Sequence, residues 1–187
     1  RTLPEVSRLL AEAGVALSSL DGIVFGQGPG SFTGLRIACG LAQGLAYSAD
    51  LPVTGIPTLD NLAWQAGEGQ VLVCFDARMQ QVYTALYQTG ADWRRLSPIS
   101  VMSPEDIRLP AGTTLLAGDG FDSYPQLLAD SRAQLPLSPF PRPHAEAYIR
   151  LAESGRYPAG HPREAELLYV RNKVALTSVE QQQVRSR

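Results

Sequence analysis

Apolar residues recur at helical spacing from the start of the chain. Leu3, Val6, Leu9, Leu10 and Ala13 fall on one side, with Glu5, Arg8 and Glu12 on the other. Pro4 suits the first turn of such a helix and Gly14 suits its end. The run Ile23, Val24, Phe25 predicts a strand over 22–26, and a long small-residue stretch predicts a helix over 31–48. A short strand over 53–56 follows, and Thr58 is placed to cap a helix that ends near Gly67. This α, β, α, β, α order implies parallel strands covered by helices.

The pattern changes near Glu68. The continuous apolar run Val71, Leu72, Val73, Cys74, Phe75 reads as a strand buried on both faces. Asp76-Ala77-Arg78-Met79 turns into an alternating strand over 81–88, and a second turn leads to a strand over 93–101. Ser103-Pro104-Glu105-Asp106 has the composition of a helix start. A strand over 113–117, a helix over 121–129, a proline-rich loop over 135–143, a helix over 144–154 and a short strand over 167–170 complete the order. The glutamines and arginines from 181 onward read as a frayed tail. Two α/β lobes are expected, residues 1–67 and 68–167, with a segment at about 168–180 rejoining the first.

Composition narrows the classes. With 187 residues and 44% apolar content, the chain can bury a real core. No stretch approaches the roughly 18 apolar residues of a membrane span, and nothing at the start resembles a secretory signal. The formal charge is −2 and the basic residues are scattered, Arg94-Arg95 being the longest pure run. A protein that grips nucleic acid alone usually carries a basic face, so any such role is expected to belong to a partner. Cys39 and Cys74 sit within apolar patterns and read as buried reduced thiols, as in a cytoplasmic protein. The chain lacks an initiator Met and enters directly into a helix pattern, which points to a missing N-terminal segment.

Residues 28–34, Gly-Pro-Gly-Ser-Phe-Thr-Gly, lie between the first strand and the long helix, where backbone N–H groups can surround an anion. The loop is not a Walker A motif, because Leu35-Arg36 follows Gly34 where Lys-Ser/Thr is needed. It fails the dinucleotide fingerprint and the nucleophile-elbow pattern as well. An anion-binding turn and a purely structural turn with a helix cap both stay open. Gly34, Ala38, Ala42 and Ala46 form a small-residue row on the helix, with Gly40, Gly44 and Ser48 beside it. Such rows pack closely, on the protein's own sheet or on a partner helix.

Asp76-Ala77-Arg78 ends a buried strand, where α/β proteins often place functional polar groups, although a turn Asp paired with Arg78 explains it equally. Gly118-Asp119-Gly120 could approach a phosphate or simply cap a turn, and the capped turn is favoured. His144 and His161 lack metal-ligand spacing, and no zinc site is expected. No nucleophile–base–orienter set can be assembled from the motifs, so no catalytic residue is assigned.

Three segments resemble the bacterial TsaB (YeaZ) family. These are Gly28-Pro29-Gly30-Ser31-Phe32-Thr33-Gly34-Leu35-Arg36-Ile37, then Phe75-Asp76-Ala77-Arg78-Met79 with Val82-Tyr83, then Leu168-Tyr169-Val170-Arg171-Asn172-Lys173-Val174-Ala175. They occur in the family's order and the similarity runs from about Leu3 to Ala175. Leu167, where members often carry proline, and Ala38, often glycine, are mild departures. The resemblance implies an α/β, two-lobe actin/Hsp70-like ATPase fold with ribonuclease H-like lobes. Members begin with a β-hairpin and a third strand bearing an Asp-Thr phosphate element. Those strands would precede Leu3, so the first lobe is expected to lack its N-terminal strands.

The family's role, carried over as an expectation, is that of a non-catalytic partner of TsaD, related to it but without its metal-binding histidines. Together with TsaE, such a subunit supports threonylcarbamoyl transfer onto the adenosine beside the tRNA anticodon. tRNA is then met only through the complex. A helical pairing surface would be drawn from Leu9, Leu35, Ala38, Cys39, Ala42 and Ala46, and would also admit a homodimer. Gly28, Gly30, Ser31, Thr33, Arg36, Asp76, Arg78, Tyr169 and Arg171 would mark the family motif and a possible nucleotide cleft. Any ATP or ADP would sit at the complex interface and be held mainly by the partner. The alternative is a stand-alone ATPase, a kinase-like enzyme or a glycoprotease-like peptidase.

Overall fold

A computed structural model of the chain describes residues 2–124 and 135–170. Helix α1 (Thr2–Ala13) ends at Gly14, whose φ of +68° is the left-handed value that closes a helix. None of its residues is buried. Strand β1 (Ile23–Gly28) pairs in parallel with β2 (Val53–Pro57), and helix α2 (Phe32–Ser48) forms the crossover. Cys39, Ala42 and Ala46 of α2 pack in one core with Phe25, Leu51 and Val53, their small size letting the helix lie close to the strands.

Helix α3 (Thr58–Gln65) follows β2 without a loop. Pro57 takes the position before it and makes no side-chain cap, while Thr58, expected as the cap, is buried within the first turn. Leu59, Leu62 and Ala63 of α3 share a core with Val71, Val73, Ala85 and Tyr87 of the second sheet. A helix that follows the first sheet in sequence therefore covers the second.

That second sheet is built on a long hairpin. Strand β3 (Gly69–Asp76) pairs antiparallel with β4 (Val82–Thr89) in unbroken register from Gly69 opposite Thr89 to Asp76 opposite Val82. The strand expected over 93–101 is split into β5 (Arg94–Arg95) and β6 (Ser100–Met102), both on β4. Pro98 offers no N–H to a ladder, and at the break Ser97 Oγ instead accepts the Leu86 N–H at 2.9 Å. Strand β7 (Leu115–Ala117), shorter than expected, lies parallel to β3.

Other sequence expectations change in detail. The helix start at Ser103 yields only a single 3-10 turn (Pro104–Asp106), because Pro110 restricts the chain just ahead. Helix α4 (Gly120–Ser123) opens the span expected over 121–129, most of which lies outside the described residues. Helix α5 (Ala145–Glu153) buries Ala147 and Leu151. The buried Asn61 amide of α3 ties down its start, donating to the His144 carbonyl at 2.9 Å and accepting the His144 N–H at 3.1 Å. No strand forms over 167–170. Instead this stretch makes one backbone contact with the first sheet, the Leu168 N–H donating to the Gln27 carbonyl at 2.8 Å, and upstream of it Gly160 exchanges two backbone hydrogen bonds with Val53. No helix among the described residues is long and apolar enough to cross a membrane. Both cysteines are free and buried, and burial pushes the Cys74 thiol up to about 12.

Candidate functional site: a cleft between the glycine loop and the β3 turn

The ends of β1 and β3 open onto one cleft of about 660 Å³. Gly30, Ser31 and Thr33 form one wall, Asp76 and Arg78 another, with Asp119 and Arg142 beside them. Two motifs forty residues apart in sequence are therefore brought together, as the possible nucleotide cleft requires.

The glycine-loop wall is shaped by its backbone. Gly28 has φ of +105° and the peptide to Pro29 is cis. A Cβ on Gly28 would stand 2.9 Å from Leu35 Cδ1 and 3.2 Å from the Leu168 carbonyl, so only glycine lets the loop turn against these neighbours. Ser31 caps α2, its Oγ accepting the Gly34 N–H at 3.3 Å. The cap uses an oxygen lone pair and leaves the hydroxyl proton for an acceptor.

The opposite wall is a tight turn. Arg78, Met79 and Gln80 have φ of 61°, 53° and 54°, an uncommon run of left-handed residues without glycine. Asp76 holds this turn: its Oδ1 accepts the Arg78 N–H at 2.8 Å and its Oδ2 lies 3.2 Å from the Arg78 guanidinium. The Tyr124 hydroxyl adds a further donor to Asp76 Oδ1 at 3.2 Å. Asp76 and Arg78 thus form the turn ion pair, and they also line the cleft.

Asp119 enters from β7. Gly118, at φ +98°, and Gly120 press against the Cys74 carbonyl so closely that a Cβ on either would overlap it. Asp119 does not cap α4, contrary to expectation; its Oδ1 accepts the Asp76 N–H at 2.9 Å. Burial raises the Asp119 pKa above the ordinary carboxylate value, against the pull of that backbone hydrogen bond. The Gly-Asp-Gly pattern did single out Asp119 in the sequence, with the capped turn favoured over an approach to phosphate. Arg142 had no comparable signal, because only tertiary folding brings the proline-rich loop to the cleft.

The remaining motif residues lie to one side. Arg36 stacks 3.6 Å from the Phe32 ring centre and donates from Nε to the Tyr169 hydroxyl at 3.3 Å. Arg36, Phe32 and Tyr169 form an exposed cluster that joins the first motif to the third; Phe32 also lines the cleft, whereas Arg36 and Tyr169 do not. Arg171 lies outside the described residues. Among the described residues no group of three or more His, Cys, Asp or Glu could hold a metal ion. Two carboxylates balance two arginines in the cleft, so the loop's hydroxyls and N–H groups are its main attraction for an anion.

The helical surface needs a correction. Cys39, Ala42 and Ala46 are buried against β1 and β2, so the alanine row packs on its own sheet and is not open to a partner. Leu35 and Ala38 are half-buried. The open face of α2 carries Ile37, Gly40, Gly44 and Tyr47, with Ile37 57% and Tyr47 60% exposed. Leu9 of α1 is also exposed, at 52%.

Comparisons with known proteins agree with this geometry. The family model described as TsaD, tRNA N6-adenosine threonylcarbamoyltransferase, matches residues 1–129. A tRNA threonylcarbamoyladenosine biosynthesis protein TsaB of Escherichia coli is 35% identical, over 94% of this chain and 81% of the relative. Its counterpart in Haemophilus influenzae is 34% identical, over 93% and 80%. The solved structure of YeaZ from Pseudomonas aeruginosa superposes with a TM-score of 0.80 at 37% identity, covering 90% of this chain and 82% of that one. The mixed α/β architecture and this match place the chain in the actin-like, ribonuclease H-like ATPase fold. The chain belongs to the TsaB (YeaZ) family, within the wider family that the TsaD model describes.

Proposed function

We propose that the chain takes part in tRNA threonylcarbamoyladenosine biosynthesis, the process its TsaB relatives are named for, as a non-catalytic subunit that pairs with TsaD. With TsaE, the pair would support threonylcarbamoyl transfer to the adenosine next to the tRNA anticodon. The observation that carries this reading is the open apolar face of α2, where Ile37 and Tyr47 lie more than half exposed; Leu9 of α1 is exposed as well. Gly40 and Gly44 lie between Ile37 and Tyr47 on α2, and a Cβ at either would meet nothing within 4 Å, so a partner helix can come close. The cleft supports it from the other side: its carboxylates are engaged by Arg78, Tyr124 and a backbone N–H, and among the described residues no histidine or lysine lines it. Mixing the chain with TsaD and measuring co-elution tests the pairing. Ile37→Arg should abolish it, and an unaltered complex with that variant would overturn the assignment of this face.

A stand-alone nucleotide-dependent enzyme is the second reading, favoured by the cleft volume and by α2 starting at its edge. Calorimetry with ATP and magnesium separates the two. Saturable heat that vanishes in Thr33→Ala and Asp119→Asn, with turnover in the absence of TsaD, would favour the enzyme.

A further inference from the structure

Away from the cleft, the end of α3, the β4–β5 turn and the end of α5 enclose a pocket of about 260 Å³. Both tryptophans of the chain, Trp64 and Trp93, line it, together with Arg150 and Arg156. Two indoles and two guanidiniums around one small hollow are unusual for a chain with so few aromatic and basic residues. Core packing accounts for Trp93, which lies against the core of the second sheet, but not for Trp64, which is 39% exposed; the buried Leu151 forms the floor.

The pocket is preorganised. The Trp93 ring centre lies 5.9 Å from that of the buried Tyr87, with the planes tilted by 36°, and this contact holds the indole against the core. Gly67 and Gly90, at φ +99° and +92°, turn the backbone away at the mouth. The charges differ in their freedom. Arg150 is paired with Glu153 at 3.2 Å. Glu68 also lines the pocket, at its Gly90 side. The Arg156 guanidinium has no ion-pair partner among the described residues and stands at the rim.

A ring surface beside an uncommitted guanidinium fits a planar aromatic group that carries an anion. We propose that this pocket binds a nucleotide, its base stacked on the indoles and its phosphate held by Arg156, either as a free mononucleotide or as an unstacked residue of single-stranded RNA. The volume suits one base with its substituent and not a longer segment. The proposal is independent of the pairing role and of the cleft, which no tryptophan lines.

That separation makes the test direct, because all tryptophan fluorescence of the chain comes from this pocket. Titration with AMP should change it saturably, and inorganic phosphate alone should not. Adenosine, without the phosphate, should bind about tenfold more weakly, the loss expected for one charge-assisted contact. Arg156→Ala should reduce AMP affinity to that of adenosine. Trp64→Ala, read through Trp93, should weaken AMP and adenosine alike by about tenfold, as for loss of a stacking ring. A single-stranded oligoribonucleotide binding more tightly than AMP identifies RNA as the source, and AMP binding with no gain from the oligonucleotide identifies the free nucleotide. No saturable change with either ligand overturns the proposal, as does unchanged AMP affinity in Arg156→Ala with an unaltered circular dichroism melt.

Discussion

Asp60 sits at 6% exposure because donors from three separate segments meet it. The Tyr87 hydroxyl donates to its Oδ1 at 2.7 Å, the Tyr157 hydroxyl to its Oδ2 at 2.8 Å, and the Arg95 guanidinium lies 3.5 Å away. Tyr87→Phe would leave the carboxylate one donor short at constant volume and should cost about 1–2 kcal/mol, read from the urea midpoint. Burial still dominates and raises the Asp60 pKa above its ordinary 3.8, against the pull of both tyrosines and Arg95. A carboxyl whose folded-state pKa is raised contributes stability that is complete below the ordinary value and is lost as pH rises through the raised one. The stability of the wild type relative to Asp60→Asn should therefore be greatest in acid and decline as pH rises past 3.8. Denaturation of both proteins across that range checks the sign, and a difference that grows with pH contradicts it. None of this was legible in sequence, because positions 60, 87, 95 and 157 share no local pattern.

Among the elements, those with a strong local period were readable: α1, β1, α2, β3 and β4 all appear within a few residues of their expected bounds. What failed were segments governed by proline or by single tertiary contacts. Pro98 breaks one strand in two, Pro110 shortens a helix to a turn, and residues 167–170 meet the first sheet without joining it as a strand. The glycines can be told apart only in the fold. Gly118→Ala would force a Cβ into the Cys74 carbonyl at a left-handed backbone angle and should cost roughly 3 kcal/mol. Gly44→Ala has open space around it and should raise stability by up to about 1 kcal/mol through helix propensity. Thermal denaturation of the two variants should shift in opposite directions, and a shift of the same sign would show that the role of one glycine is misassigned.

At the scale of the whole molecule, the three motif segments explain one another. The glycine loop faces Asp76 and Arg78 across the cleft, and it touches Leu168 and Tyr169 at its back. Their resemblance to family motifs identified the segments, while their arrangement needed the fold: Arg36 and Tyr169 brace the loop from outside, and Asp119 and Arg142 complete the cleft. The small-residue rows of α2 divide in the same way. The alanine row belongs to the chain's own core, and the glycine row is exposed, which is why we propose it for the partner. Two lobes, each built on one sheet with α3 lying across both, remain the organisation we propose. The central claim is that this molecule acts by pairing and not by chemistry of its own. Its most direct test is threonylcarbamoyl transfer to tRNA by TsaD and TsaE from threonylcarbamoyl-adenylate, measured with and without the chain. Transfer that rises when the chain is added, with none from the chain alone, is the predicted result; equal transfer in its presence and absence would contradict the account.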